Sequence, residues 1–193
     1  MHGVTALLML VCILTAAVLY NASLAIAFGN RQVFETVHLY AGIALPVPMT
    51  VGLASRAYRA DLRRLDRFTR ADWLWLRSRS RRDGVIRVGK FNAGQKLNSS
   101  LSAGAIIVLL MTGITMYATH LTPLAWRVGA TFVHDWAALA VGLLVAGHTI
   151  YALRDREAMR GMRTGAVSAD WARREHSTWA EEISAASPSS ADR

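Results

Sequence analysis

The chain has 193 residues, 53% of them hydrophobic, with a formal net charge of +9, which fits a small one-domain membrane protein and not a soluble one. The single cysteine, Cys12, excludes an internal disulfide, a cysteine-held iron–sulfur cluster and a covalently attached c-type haem. The basic balance would suit a nucleic-acid binder, but the excess charge is gathered in one loop between apolar stretches, and that placement excludes the reading.

The first apolar stretch runs from about Val4 to Phe28, with no charge between Val4 and Tyr20. It is too long, and lacks the basic start, for a cleaved signal peptide. His2 stands at its very beginning. A short connection over residues 29–32 leads to a second stretch, about Val33 to Leu53. Glu35 and His38 lie in its first two turns, and Pro46 and Pro48 predict a kink near its middle.

Residues 54–100 form a polar segment with 11 Arg and 2 Lys against 4 Asp. Within it, Leu62, Leu65, Phe68, Trp73 and Leu76 recur at helical spacing. This predicts one amphipathic helix over Ala60 to Arg77, lying in the membrane interface or solvated on a loop. A third apolar stretch, about Leu101 to Thr119, is rich in small residues (Ser102, Ala103, Gly104, Thr112, Gly113) that permit close packing. His120 follows it and reads as an interfacial residue.

The fourth stretch, Phe132 to Ala152, is long enough to cross a bilayer. It carries His134 and His148, 14 residues apart. At about 1.5 Å rise and about 100° per residue, such a pair lies on one helix face, roughly 21 Å apart along the axis. Imidazole is a common ligand of metals and haem iron, and polar groups inside a span usually mark function. A hydrogen-bonded packing histidine is the plainer alternative for either position. Beyond Leu153 the tail balances 7 basic and 7 acidic residues, and its Ser/Ala-rich end, Ser184 to Arg193, reads as disordered. His176 lies in this tail, where the sequence offers it no partner.

Orientation follows from the loops. The middle loop holds 13 basic residues, and the other two hold one each, Arg31 and Arg127. Basic loops stay cytoplasmic, so a bundle of four transmembrane helices has both termini in the cytoplasm. The domain division is then a membrane domain over residues 1–153, containing the cytoplasmic loop 54–100, and a cytoplasmic tail over 154–193. Depth pairs the histidines: His38 with His134 near the outer face, His2 with His148 near the inner face. Each pair could hold one haem, bound non-covalently. Asp135 and Glu35 beside the outer pair could orient a ligand, or serve as acids favoured at a helix start.

Just before the third stretch stands Gly89-Lys90-Phe91-Asn92-Ala93-Gly94-Gln95-Lys96. On chemistry alone it is a helix entry with Asn92 as the cap. The amides of Asn92 and Gln95 could also hydrogen-bond a quinone carbonyl, with Gly94 permitting close approach. Together with the His-x13-His spacing, this motif resembles the gamma subunit of respiratory formate dehydrogenases, a four-helix di-haem cytochrome b. The wider group includes the b-type cytochromes of nickel–iron hydrogenases. The resemblance covers His2 to about Trp179.

The resemblance implies an all-α bundle of a bacterial cytoplasmic membrane that passes electrons from an outer redox subunit through two b haems to menaquinone. It implies His2, His38, His134 and His148 as ligands of the haem iron. It implies Asn92, Gly94 and Gln95 as the lining of a menaquinone pocket beside the inner haem, with His148 near the quinone. The implied partners are an iron–sulfur subunit and a molybdenum or tungsten catalytic subunit, so the chain would not act on the primary substrate by itself. In that family a short basic segment precedes the first histidine. Its absence here predicts a start internal to a longer product, with His2 weakly held. Two alternatives stay open: service to a hydrogenase or another molybdoenzyme, and a haem-free anchor or ion-conducting bundle.

Overall fold

The computed structural model describes residues 1–81 and 85–186, and among these every regular element is an α-helix. The helices are α1 (His2–Tyr20), α2 (Ala22–Phe28), α3 (Arg31–Ala44), α4 (Val47–Gly52), α5 (Arg56–Leu65), α6 (Arg70–Arg77), α7 (Ala93–Tyr117), α8 (Leu124–Leu153), α9 (Arg156–Thr164), α10 (Ala169–Glu175) and α11 (Ser177–Ala186). Three of them, α1, α7 and α8, are long and apolar enough to cross a membrane. A fourth span is counted only if residues 31–52 and α5, which meet at a bend of 105°, are taken together as one.

Local chemistry explains the breaks. The first apolar stretch divides at Asn21, whose side chain accepts from the Leu24 N–H at 3.1 Å and starts α2. Gly29 ends α2 in the left-handed region (φ 72°), a conformation that glycine adopts without a Cβ clash. The kink anticipated at Pro46 is real: α3 stops at Ala44 and α4 starts at Val47, because proline supplies no N–H to continue the ladder.

The helix anticipated over 60–77 is two helices. Thr69 accepts from the Asp72 N–H while Asp72 accepts from the Thr69 N–H at 2.7 Å, a capping box that begins α6 afresh. The periodic apolar residues are shared between two short helices, so periodicity alone did not reveal the break. α7 begins eight residues before the apolar stretch that marks it, and α8 likewise begins before Phe132. At the C-terminal end, α11 takes in Ser184 to Ala186, where disorder was anticipated, and residues 187–193 lie outside the described residues.

The chain forms two compact units. The first comprises residues 1–60 and 102–144, and in it α1 packs along α3. Its surface is apolar: Leu7, Leu10, Leu14, Ile107, Met111, Leu139 and Leu143 are all exposed. A band of that kind is untenable in water and is what a lipid solvent requires.

The second unit comprises 61–101 and 145–193. Trp75, Val88 and Ala93 form its small core, with Phe68, Leu76 and Ile86 packed on them. The loop is thus folded, and the tail folds onto it. His176 is buried and its Nδ1 lies 2.7 Å from the Gly89 carbonyl, while the Thr178 N–H donates to the Val88 carbonyl at 3.0 Å. A carbonyl only accepts, so His176 donates. Arg87–Glu181 and Arg64–Glu182 ion pairs lie on the surface of the same contact.

Candidate haem-ligating site

Within the first unit the rings of His38, on α3, and His134, on α8, are half-buried, with centroids 6.3 Å apart and ring planes at 67°. Each ring is tied by its Nδ1 to a threonine on a neighbouring helix. Thr15 Oγ1 of α1 lies 2.8 Å from His38 Nδ1, and Thr112 Oγ1 of α7 lies 2.9 Å from His134 Nδ1. The sequence offered no signal for Thr15, and Thr112 counted only as a small packing residue. A hydroxyl near a histidine on another helix leaves no mark in local periodicity.

The donor set says what the pair could hold. Among the described residues no group of three or more His, Cys, Asp and Glu side chains is gathered as a metal site. A bare cation needs about four ligands, and this place offers two imidazoles. Two imidazoles alone would suit an iron whose remaining positions are filled by a macrocycle. The distance agrees: with metal–nitrogen bonds of about 2.0–2.1 Å and a ring radius of about 1.1–1.2 Å, imidazoles sharing one metal have centroids roughly 6.2–6.6 Å apart. Gly113 lies against the His134 ring, where an added Cβ would stand 3.5 Å from Cε1, in ordinary contact. The residues present therefore fit a bis-histidine haem.

The two acids anticipated beside this pair have separate fates. Glu35 forms an exposed i,i+4 ion pair with Arg31 at 2.8 Å, and Arg31 also donates to the Leu19 carbonyl at 3.0 Å. Glu35 thereby secures the start of α3. Asp135 remains next to His134 on α8, half-buried. His148 lies on the same unbroken helix as His134, and both His148 and His2 are exposed. His120 is exposed in the middle of the connection between α7 and α8.

In the second unit the glycine-rich motif is a structural joint. Asn92 Oδ1 accepts from the Gln95 N–H at 3.0 Å, and Gln95 Oε1 accepts from the Asn92 N–H at 2.9 Å. This reciprocal cap starts α7. Because backbone N–H groups can only donate, the amide oxygens are the atoms engaged. The Asn92 and Gln95 NH2 groups have no acceptor among the described residues. Gly94 lets Trp75 approach: a Cβ there would lie 3.1 Å from Trp75 Cη2 and 3.3 Å from Asn92 Oδ1.

The motif's lysines are anchored too. Lys90 pairs with Asp61 at 2.7 Å, and buried Lys96 pairs with buried Asp72 at 2.7 Å while donating to the Arg67 carbonyl at 2.7 Å. Lys96 is buried as an ion pair with two of its three proton donors engaged and its ammonium 5.7 Å from the Phe68 ring centroid.

The chain is 30% identical over 102 residues to the cytochrome b556(Fdn) subunit of the nitrate-inducible formate dehydrogenase of Escherichia coli K12, covering 51% of this chain and 47% of that protein. It is 22% identical over 162 residues to the cytochrome b556(fdo) subunit of formate dehydrogenase from the same strain, covering 80% of this chain and 74% of that protein. The stronger match thus spans about half the length of its relative. The profile of prokaryotic cytochrome b561 matches residues 1–165, which takes in both helices that carry His38 and His134, and the chain belongs to that family.

Proposed function

We propose that this membrane cytochrome b is the subunit of a respiratory formate dehydrogenase-type complex that carries electrons from an outer iron–sulfur partner to menaquinone near the cytoplasmic face. The observation that carries the reading is the His38–His134 separation of 6.3 Å, the spacing of two imidazoles on one iron. The relatives named as formate dehydrogenase cytochrome b556 subunits support the choice of complex. A bound b haem supplies reversible one-electron chemistry at iron.

The chain's own residues do the rest. His38 and His134 hold the outer haem, and the apolar helix faces around them exclude water and its dielectric. His2 and His148 hold the inner haem; this rests on the matched depths of the two residues and on the family resemblance. Asn92 and Gln95 present their NH2 groups to a quinone carbonyl, and Gly94 contributes by letting Trp75 close against the motif. The concentration of basic residues in 54–100 supports a four-helix bundle of a bacterial cytoplasmic membrane with that loop and both termini inside. A molybdenum or tungsten subunit, on this reading, acts on the primary substrate.

The test is haem stoichiometry. A reduced-minus-oxidised spectrum of the purified membrane protein should show b-type bands, and pyridine haemochrome should give two haems per chain. His134→Ala should leave one, because only His38 remains at that depth. No b-type band in the wild type would overturn the reading. Loss of both haems from a still-folded variant would overturn the separation into two sites.

A further inference from the structure

The threonine contacts carry a consequence for the histidine protons. Thr15 Oγ1 lies 2.7 Å from the Val11 carbonyl and 3.1 Å from that of Cys12. Thr112 Oγ1 lies 2.7 Å from the Val108 carbonyl and 3.2 Å from that of Leu109. Oxygen pairs at such distances are hydrogen-bonded, since two bare acceptors at that separation repel. A carbonyl has no proton, and a hydroxyl has one. Each threonine proton is therefore spent on its own helix, four residues back. What each hydroxyl offers the histidine is a lone pair, so Nδ1 of His38 and of His134 is the donor. A neutral imidazole with its proton on Nδ1 has its lone pair on Nε2.

The device occurs twice. In each case one helix contributes the threonine and a later helix the histidine, 23 residues on for the first pair (α1 to α3, with the short α2 between) and 22 for the second (α7 to α8). We propose that Thr15 and Thr112 are positioning residues, each locking its histidine as the Nδ1–H tautomer and aiming the Nε2 lone pair at one shared metal. This rests on the reading of His38 and His134 as haem ligands. The opposite tautomer, with the hydroxyl donating to Nδ1, would put a proton on Nε2 and block ligation.

The bond also has an electronic effect. A histidine whose far N–H is hydrogen-bonded is a more basic ligand, and a more basic ligand favours ferric over ferrous iron. Removing the acceptor should raise the midpoint potential of that haem. A tenfold change in the ferric-to-ferrous preference reads as about 59 mV for a one-electron couple, and a shift of about that size is expected.

The experiment uses the full chain in membranes, as Thr15→Val, Thr112→Val, Thr15→Ser and Thr112→Ser. Valine keeps the shape and loses the acceptor; serine keeps the hydroxyl and loses the methyl. Haem content, the midpoint potential of each haem and the low-temperature EPR signal of the ferric form are measured. Each valine variant should raise the potential of one haem and shift its EPR signal, with the second haem unchanged and serine returning both readouts to wild type. Loss of that haem in the valine variant alone also supports the proposal, since an unlocked imidazole no longer presents Nε2. Unchanged potential and EPR in both valine variants would overturn it. So would haem loss in valine and serine variants alike, which would assign the effect to shape. Failure of the underlying haem reading is separately visible: the wild type would show no b-type haem, or its haem would be indifferent to His134→Ala.

Discussion

Asn92→Asp separates the two roles that meet at the glycine-rich motif. The Asn92 oxygen caps α7 by accepting from the Gln95 N–H at 3.0 Å, whereas its NH2 has no acceptor among the described residues. Aspartate is as good an N-cap as asparagine, so the helix should start as before, within a few tenths of a kcal/mol. The substitution replaces the amide donor by an oxygen that cannot donate. One hydrogen bond to a quinone carbonyl is then lost, about 1–1.4 kcal/mol, or roughly five- to tenfold in quinone binding. Asn92→Ala is the contrasting variant: it removes cap and donor together and should cost about 1 kcal/mol of stability as well. The assay pairs stopped-flow reoxidation of reduced haem by a menaquinone analogue with thermal unfolding in detergent. Asn92→Asp should slow reoxidation at subsaturating quinone with an unchanged melting temperature. Reoxidation at the wild-type rate in Asn92→Asp would refute the quinone role and leave the motif as a helix entry.

Three further outcomes follow from the second unit. Lys96→Met strands the Asp72 carboxylate in a buried site, and breaking such a pair should cost about 3–5 kcal/mol; a melting temperature within error of wild type would contradict the burial. Gly94→Val pushes a side chain onto Trp75 where even a Cβ stands at 3.1 Å, an overpacking cost of about 1–3 kcal/mol, so it should red-shift Trp emission and destabilise the unit while leaving haem content at wild type. His176→Ala removes the donor to the Gly89 carbonyl and should cost about 1–3 kcal/mol, seen as faster proteolysis of the tail at unchanged haem content.

What the sequence determined by itself is local. Apolar runs of bilayer length, the proline break at Pro46, one long helix bearing His134 and His148, and the concentration of arginine between the second and third stretches are all periodicity and composition. Such signals act within a few turns of one helix. Even so, local signals misjudged the break at Thr69, because a capping box depends on two side chains that periodic apolar residues conceal. The tertiary structure decided everything that depends on how one helix is rotated and registered against another. It set the 6.3 Å between the His38 and His134 rings, and it chose Thr15 and Thr112 as their partners. It seated the GKFNAGQK motif on Trp75, Asp61, Asp72 and His176, residues from 19 to 87 positions from the ones they touch. A hydroxyl on one helix and an imidazole on the next share no periodicity. Only the packing brings a lone pair to meet a proton, and only there can the direction of that hydrogen bond be read.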